Sequence, residues 1–432
     1  MKEKAPWLAL FILTLANISS FIDRQILSLL VKPIKRDLHL SDTEVSLLMG
    51  LSFAIFYTLF GVIIGRLADR KNRRNIIIIG ITLWSGMTAL CAGAASFGQF
   101  FLARLGVGVG EATLAPSAYS MIADMFPKKR LATALSLYSI GIFMGSGLAM
   151  LIGSGIVAKM PQTGLISVPI FGEIYPWQSI FLYVGIPGLV IACLLFFITE
   201  PSRKNVLEKN GVSQKLSLSE SFKIIFKHKK AYLLMCFATA FGALINYGTN
   251  AWVPTFIVRN FGWEMPKTGA FYGIVLVVSS IAGVIFGGWY ADKLLKEGKT
   301  DGRLRVAIIG TLLTLLAVGI PFLPKAEWVL LAIAVPAFGT AAPFGAVTAA
   351  VQEIMPNQVR ALASSVFLFI INLIGIGIGP TLVAIFTDYL FKNENMVGYS
   401  LSLLYLIGGA TSFILTLLAL KPYREAVANP SW

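Results

Sequence analysis

The chain has 432 residues, of which 56% are hydrophobic and only 13% are charged, and its formal net charge is +15. Soluble globular chains carry about 25% charged residues, so this chain has too few polar groups to cover a surface that faces water. The composition therefore excludes an ordinary soluble protein and favours one that exposes its apolar surface to lipid.

Apolar runs recur along the whole chain. Crossing about 30 Å of hydrocarbon takes roughly 20 residues of helix. The few residues before the first run are too short for the basic region of a signal peptide, so we interpret that run as the first span. We predict an all-α integral membrane protein with twelve transmembrane helices. The runs cover residues 7–31, 44–66, 75–96, 99–123, 131–158, 177–199, 231–257, 268–292, 305–323, 327–352, 360–387 and 399–420.

The basic residues indicate orientation. A strongly positive chain could bind nucleic acid, but here the Lys and Arg residues lie mostly between apolar runs, so we expect no nucleic-acid partner. With the N-terminus inside, 26 of the 36 Lys and Arg residues fall in inner segments and 8 in outer ones. Inner loops carry the excess of positive charge. We therefore expect both termini in the cytoplasm.

A polar, basic segment divides the chain. Residues 200–230 separate an N-terminal bundle of six spans, 1–199, from a C-terminal bundle, 231–432. The end of the segment, 219–230, could form an amphipathic helix with Phe222, Ile225 and Phe226 toward lipid and lysines toward head groups. An ordinary solvated linker is the alternative.

The two halves contain similar short motifs. Gly65-Arg-Leu-Ala-Asp69-Arg70 resembles Gly288-Trp-Tyr-Ala-Asp292-Lys293, and Asp124-Met-Phe-Pro resembles Glu353-Ile-Met-Pro, at offsets of 223 and 229 residues. Two matches in the same order at similar offsets indicate duplicated, pseudo-symmetric six-helix bundles.

Four charges lie at or near membrane depth: Asp23, Arg24, Arg104 and Glu111. A charge at the centre of a span costs about 2.5–3.5 kcal/mol on insertion scales, so we expect these side chains to face the interior and pair with one another. Burial and a neighbouring arginine act in opposite directions on a carboxylate's affinity for protons. We interpret Asp23 as the preferred proton carrier and Glu111 as the second, with Arg24 and Arg104 holding a carboxylate or an anionic group. A static ion-pair network is the alternative.

The loop after the second span contains a specific motif, Gly65-Arg-Leu-Ala-Asp69-Arg70-Lys-Asn-Arg73-Arg74. A glycine allows close helix approach, a carboxylate can accept hydrogen bonds, and the basic run suits the inner leaflet. We interpret the motif as a gating latch with Asp124, and its counterpart contains Asp292 and Glu353. A plain basic loop is the alternative.

Further polar side chains interrupt the apolar runs. They are Asn17, Tyr57, Tyr138, Asn246, Asn250 and Asn372. They could line a substrate cavity or bond between helices. Gly106-Val-Gly108-Val-Gly110 lacks the spacing and the preceding strand of a dinucleotide site, and indicates helix packing instead.

No sign of an enzyme is visible in the sequence. Cys91, Cys193 and Cys236 lie in apolar segments without metal-ligand spacing, so we expect no cofactor and no metal.

The latch motif and the two halves resemble the major facilitator superfamily along essentially the whole chain. Asn17-Ile-Ser-Ser-Phe-Ile-Asp23-Arg24, Ala103-Arg104-Leu-Gly-Val-Gly-Val-Gly-Glu111 and Pro116 resemble its spinster branch, which has bacterial members. The resemblance implies a monomeric transporter in a bacterial inner membrane that moves lysophospholipids or sphingosine phosphates, driven by protons or otherwise. The second latch, Lys293-Leu-Leu-Lys-Glu-Gly-Lys-Thr-Asp, departs from the family pattern, since it is longer and less basic than the first.

We therefore expect a proton-coupled secondary transporter of an amphipathic lipid that rocks its two halves around a midplane site. The same superfamily loop occurs in transporters of small organic anions and drugs, which is the first alternative. A channel or a non-transporting receptor is the alternative from another class.

Overall fold

The computed structural model describes residues 4–161, 163–202 and 218–429, and a few side chains within its helices lie outside the description. Within these residues the chain is almost entirely helical. The first part of the chain forms α1 (Lys4–Gln25), α2 (Val31–Leu38), α3 (Asp42–Met49), α4 (Leu51–Arg70), α5 (Arg73–Cys91), α6 (Phe97–Glu111), α7 (Leu114–Met125), α8 (Lys128–Lys159) and α9 (Ser179–Leu195).

The second part of the chain continues the pattern after the polar segment. It forms α10 (Leu218–Ile225), α11 (Lys229–Phe261), α12 (Met265–Lys296), α13 (Gly302–Leu315), α14 (Ala326–Ala341), α15 (Pro343–Glu353), α16 (Asn357–Asn372), α17 (Gly379–Ile385) and α18 (Val397–Ala428). Between α8 and α9 a small antiparallel hairpin pairs β1 (Ile166–Val168) with β2 (Gly172–Ile174).

Eleven stretches of the described residues are helical, long and apolar enough to cross a membrane. The remaining predicted run, 99–123, is also helical, but it is divided between α6 and α7 at Ala112 and Thr113. The all-α membrane fold is therefore confirmed. The division places Glu111 at the last position of α6, where the regular hydrogen-bond ladder stops.

The eleventh predicted run, 360–387, is interrupted by wide turns. π-helical turns at Leu373–Ile378 and Phe386–Phe391 flank α17. Pro380 has no amide hydrogen to donate into a regular helix, so the chain around it cannot keep an unbroken α ladder. A pattern of apolar residues contains no information about such a local change of helix type.

The described contacts group into two compact units. Unit 1 contains Met1–Lys204 together with Asn250–Val277 and Thr387–Asn395, and unit 2 contains the rest of the second half. In unit 1, α1 packs against α8, and α5 packs against α6 and α9. In unit 2, α13 packs against α14, α15 and α18.

Glycines bring the backbones of α4, α5 and α6 together in unit 1. A Cβ added at Gly108 would lie 2.6 Å from the carbonyl oxygen of Phe53, and one added at Gly110 would lie 2.6 Å from the amide nitrogen of Trp84. Both neighbours are backbone atoms that cannot move aside. The glycine repeat is thus a helix-packing feature, as its position in an apolar run predicted.

The basic segment is only partly within the description, since residues 203–217 lie outside it. At its end, α10 is followed by a 3-10 turn, Phe226–His228, that leads into α11. Phe222 and Phe226 are exposed, but Ile225 is fully buried in a cluster with Val359 and Ala363. The expectation that Ile225 faces lipid is therefore wrong, because α10 packs that side against α16.

Candidate functional site

The four charges at membrane depth form two ion pairs within unit 1. In the first pair, Arg24 of α1 binds Glu111 of α6, with Nε and Nη2 at 2.7 and 2.6 Å from Oε2. Ser20, one turn before Arg24, donates to the same oxygen at 2.5 Å. Glu111 is only 1% exposed. A buried carboxylate is thus held by an arginine and a hydroxyl that lie on one face of α1.

The second pair joins the same two helices, through Asp23, which is adjacent to Arg24, and Arg104, which is seven residues before Glu111. Arg104 Nη1 lies 2.7 Å from Asp23 Oδ1, and both residues are buried. Thr88 of α5 donates a hydrogen bond to the other carboxylate oxygen of Asp23. Adjacent helix positions point about 100° apart, which lets Asp23 reach Arg104 while Arg24 reaches Glu111. Each helix therefore contributes one charge of each sign.

Aromatic rings enclose the Arg24 guanidinium. Its central carbon lies 4.3 Å from the ring centre of Phe53, 4.7 Å from that of Tyr57 and 4.8 Å from that of Phe21. Phe53 and Tyr57 are one turn apart in α4 and stack on each other. The faces of aromatic rings attract cations, so this cage stabilises a positive charge in a place with little water.

Several buried polar atoms beside the ion pairs have no hydrogen-bond partner among the described residues. They are Nε and Nη2 of Arg104, Oε1 of Glu111 and the hydroxyl of Tyr138. An unmade hydrogen bond of this kind costs about 1–3 kcal/mol, and more for a charged group. The two Arg104 nitrogens can donate to a water molecule or a substrate group, and Glu111 Oε1 can accept a proton or a hydrogen bond, without first giving up a protein partner.

Asn17, Tyr57 and Tyr138 lie in the same unit as the ion pairs. Asn17 Nδ2 donates to the carbonyl oxygen of Tyr138 at 3.0 Å and so joins α1 to α8. Tyr138 also makes an edge contact with Tyr119 of α7. The Asn17 side chain is thus used between helices, whereas the Tyr57 ring belongs to the cage around Arg24.

The predicted polar residues of the second half are divided between the units. Asn250 belongs to unit 1, where Tyr272 donates to its Oδ1 at 2.9 Å. Asn246 donates to Thr340 at 3.3 Å within unit 2, and Asn372 ends α16 in that unit. Their part in a substrate site stays a prediction.

The first latch motif contains a buried arginine, Arg73. Arg73, 1% exposed, begins α5 and binds Asp124 at 2.5 Å and Glu200 at 2.7 Å. It also donates to Ser120 and to the carbonyl oxygen of Pro201. Arg73 therefore fastens the start of α5 to the end of α7 and to the segment after α9.

The rest of the first latch is described in part. The Arg74 amide donates to Glu200, and its guanidinium donates to the carbonyl oxygen of Ile198. A Cβ added at Gly65 would meet no described atom within 4 Å. The side chains of Asp69 and Arg70 lie outside the described residues, so their predicted roles stay predictions.

An equivalent cluster occurs in unit 2. Arg303, the second residue of α13, pairs with Glu353 at the end of α15, and Tyr423 of α18 donates to the same carboxylate at 2.5 Å. The spacing from Arg303 to Glu353 is 50 residues, against 51 from Arg73 to Asp124. The internal repeat therefore extends to an arginine that no motif indicated. Asp292, the other predicted latch residue, is exposed in α12.

A second carboxylate, Asp301, lies beside this cluster. It is 2% exposed and is bound by Arg305 at 2.9 Å and by Arg424. Burial opposes its ionisation, but the hydrogen bonds and charges of the two arginines outweigh that effect and lower the pKa of Asp301. Asp301 therefore stays ionised and joins the start of α13 to α18.

Sequence reasoning missed several residues around the candidate site. Ser20 and Phe21 could have been found from their positions one turn before and three residues before Arg24. Arg303 could have been found because it lies one residue beyond the position that the 229-residue offset gives for Arg73. The other missed residues have no sequence pattern that marks them, because only the packing of distant helices brings them to the charges. They are Thr88, Phe53, Glu200 and Tyr423.

Comparison with known proteins identifies the family. Residues 13–380 match the Major Facilitator Superfamily. The chain is 28% identical to an MFS-type efflux pump of Mycolicibacterium smegmatis over 94% of this chain and 90% of the relative. It is 25% identical to the hexuronate transporter of Bacillus subtilis over 100% of this chain and 97% of the relative.

Among solved structures, the fold is similar to that of a bacterial homologue of the human lysosomal transporter spinster, in an inward-facing and unoccupied conformation. The TM-score is 0.75 at 26% identity, covering 98% of this chain and 97% of the other. The relatives are transporters, not enzymes. The chain belongs to the Major Facilitator Superfamily and is a spinster-like transporter of that family.

Proposed function

We propose that the chain is a proton-coupled secondary transporter that moves an amphipathic lipid, a lysophospholipid or a sphingosine phosphate, by alternating access. The observation that carries the proposal is the pair of buried ion pairs between α1 and α6, Asp23 with Arg104 and Arg24 with Glu111. Charges at membrane depth are costly and usually mark an ion or substrate pathway.

The charge balance of the network supports coupling. The two arginines and two carboxylates have a net charge of zero when all four are ionised. A proton on Asp23 alone would leave Arg104 without its counter-charge, and an anionic head group alone would add a negative charge. Both together restore neutrality, and in a water-poor site an uncompensated charge costs several kcal/mol. The network therefore favours occupancy by proton and anion together, or by neither.

Arg104 is the residue best placed to respond to protonation. Its Nη1 binds Asp23, while Nε and Nη2 have no partner among the described residues. An arginine presents its donors in a rigid fork that matches phosphate and carboxylate oxygens. A proton on Asp23 would weaken the 2.7 Å pair and leave Arg104 available for an anionic head group.

The amphipathic character of the substrate is supported by the surroundings of the charges and by family. Phe21, Phe53 and Tyr57 form an apolar wall beside the Arg24–Glu111 pair. A phosphate head group suits the arginines, and an acyl or sphingoid chain suits the rings. The spinster resemblance implies the same substrate class.

Small organic anions are the second candidate. A relative matched over the full length of this chain is named a hexuronate transporter. Arginine recognises the carboxylate of a sugar acid with the same geometry as a phosphate. A hydrophilic anion would use the charges but would gain little from the aromatic cage, which is why the lipid is preferred.

The proposal includes a place and an orientation in the cell. The excess of Lys and Arg in alternate loops supports cytoplasmic termini, and the resemblance to bacterial spinster proteins supports the inner membrane of a bacterium. We propose that the chain acts as a monomer.

Uptake into liposomes tests the proposal. The purified protein is reconstituted, and entry of a labelled lysophospholipid is compared with entry of hexuronate and other small anions, with and without a pH gradient. We expect lipid movement that a pH gradient accelerates in the parent protein and not in Asp23→Asn. Asp37→Asn, which changes a carboxylate outside the spans, is the matched control and should behave like the parent. Gradient-driven uptake of small anions alone would contradict the lipid assignment.

A further inference from the structure

The hairpin between α8 and α9 is a feature of unit 1 that the proposed transport does not use. Its strands β1 and β2 leave residues 169–171 as the turn between them. The hairpin joins two candidate spans, Leu137–Lys159 and Pro176–Leu195, so it lies at a membrane surface. With cytoplasmic termini, as proposed above, this is the outer surface.

Ile170, at the centre of the turn, is unfavourably placed both for its backbone and for its side chain. Its φ of 77° lies in the left-handed region, which a β-branched residue rarely adopts and which Gly or Asn adopts readily. Its side chain is 99% exposed, so it packs against none of the described residues. Backbone strain of this kind is concentrated at functional positions. An isoleucine that neither the turn nor the core needs indicates an apolar contact outside the chain.

The hairpin is held firmly at its base. Ile174 and Trp177 are buried, and the Trp177 indole donates to Asp37 Oδ2 at 3.0 Å. Beside the turn, Phe171 packs against the backbone just after α5, where a Cβ added at Gly93 would lie 3.1 Å from Cδ1 of the ring. The turn is therefore presented at a fixed position relative to the ends of α5 and α9.

The turn lies where the apolar surface of the spans ends. Leu90, in the last turn of α5, is 55% exposed, and Gly93, against which Phe171 packs, follows three residues later. Tyr183, near the start of α9, is 58% exposed. Exposed apolar side chains on a span meet lipid, and exposed aromatic residues near its end mark the level of the head groups. Ile170 thus continues a lipid-facing surface into the head-group region.

The charge distribution favours a lipid surface over a protein partner. Glu173 is the only charged residue of the sequence between Lys159 and Glu200. It pairs with Ser167, and both residues are exposed. The residues at the turn, 168–172, are all apolar or glycine. A site for a soluble protein has a polar rim around its apolar centre, whereas the membrane interface accepts apolar side chains beside backbone groups that water still reaches.

We propose that the hairpin tip, residues 168–172 with Ile170 at the centre, inserts between the lipid head groups of the outer leaflet and anchors unit 1 at that depth. The contact uses apolar side chains and no charge, so it forms on neutral and anionic bilayers alike. Burial of an isoleucine side chain favours the inserted state at least about tenfold, which offsets the strain of the turn. This anchor goes beyond the proposed transport, and it acts in the absence of substrate.

A fluorescent probe at the tip gives the first test. Ile170→Cys is built with the exposed Cys193 changed to Ser, since Cys91 and Cys236 are buried. The protein is labelled with the fluorophore NBD and reconstituted into phosphatidylcholine liposomes, with either a lipid that bears a nitroxide near its head group or iodide on both sides. We expect the nitroxide to quench the probe, and iodide to quench it at least about tenfold less than at Ser167→Cys, the control on the polar face. Added phosphatidylglycerol should change neither result.

Hydrogen exchange gives the second test, because a free tip and an inserted tip predict opposite signs. Asn suits a left-handed turn, so Ile170→Asn would slow exchange of the hairpin amides if the tip were free in water. An inserted tip loses its lipid contact in this variant. We therefore expect its hairpin amides to exchange at least about tenfold faster than those of the parent in phosphatidylcholine liposomes. Ile170→Trp, which keeps an apolar side chain, should exchange like the parent.

Both measurements decide the anchor without reference to transport. Equal iodide quenching at positions 170 and 167, or slower exchange in Ile170→Asn, shows that lipid does not cover the tip and overturns the proposal. A probe at position 170 that neither nitroxide nor iodide quenches is covered by protein, a second copy or another partner, which also overturns it. A parent that moves no lipid overturns the proposed substrate and leaves both results on the hairpin unaffected.

Discussion

The buried pair between Asp23 and Arg104 offers a measurement that separates a functional ion pair from a structural one. Asp23→Asn keeps the shape of the side chain and an oxygen that can accept from Arg104, but it removes the negative charge. Arg104 is 0% exposed and already has two nitrogens without a partner among the described residues. The substitution therefore leaves a buried cation without its counter-charge.

The magnitude follows from the burial. Removing one partner of a buried pair costs about 3–5 kcal/mol, whereas removing both is often neutral. Because Asn still accepts a neutral hydrogen bond, we expect the low end for Asp23→Asn, about 3 kcal/mol. The double variant Asp23→Asn with Arg104→Gln has no uncompensated charge and should lie within about 1 kcal/mol of the parent.

The assay pairs stability with transport. Thermal unfolding in detergent is followed for the parent, both single variants and the double variant, and uptake with a pH gradient is measured in liposomes for the same four proteins. We expect the double variant to regain stability but not gradient-driven transport. If transport returns together with stability, the pair is a packing element. If neither single variant loses stability, the reasoning from burial is wrong.

Three further predictions concern packing, the latch and pH. Gly110→Ala should destabilise the protein by about 1–3 kcal/mol, because its Cβ would lie 2.6 Å from the Trp84 amide nitrogen. The control Gly86→Ala, with no described atom within 4 Å of its Cβ, should leave stability unchanged. Equal thermal unfolding midpoints for the two variants would contradict the close packing at Gly110. Arg73→Ala leaves Asp124 and Glu200 without their shared cation and should cost about 3–5 kcal/mol in thermal unfolding; a loss no larger than that of Arg74→Ala would refute the central place of Arg73. Asp301 has a lowered pKa, so its stabilising effect is full above the ordinary carboxyl pKa of about 4 and is lost as pH falls through the pKa of the folded protein. The stability difference between the parent and Asp301→Asn should therefore shrink in acid. A difference that grows in acid would contradict the lowered pKa.

Much of the fold could be predicted because the bilayer imposes a simple rule on length and polarity. Runs of about 20 apolar residues had to be spans, and charges such as Arg104 inside them had to be buried and paired. The signs limited the pairing further, since each helix carries one cation and one carboxylate. Choosing between pairs within a helix and pairs between helices required the packing of α1 against its neighbours.

The rest depended on local backbone geometry and on contacts between distant residues. The break after Glu111 and the π turns around Pro380 follow from local backbone packing, which hydropathy does not record. Ile225 was placed on the wrong side of α10, because an amphipathic pattern does not say whether a hydrophobic side chain meets lipid or another helix. Asp42 was overlooked, because a charge at the end of a span costs little free energy when it faces water. Only the structure shows that Asp42 is buried and paired with Arg259.

Proton movement during transport tests the central claim most directly. Liposomes that contain the protein and an internal pH-sensitive dye are exposed to a lysophospholipid without an imposed gradient, and internal pH is recorded together with lipid movement. We predict that lipid movement changes internal pH in the parent and in Asp37→Asn, and that Asp23→Asn abolishes the pH change. Lipid movement with no pH change in the parent, or an undiminished pH change in Asp23→Asn, would contradict proton coupling through the buried pairs.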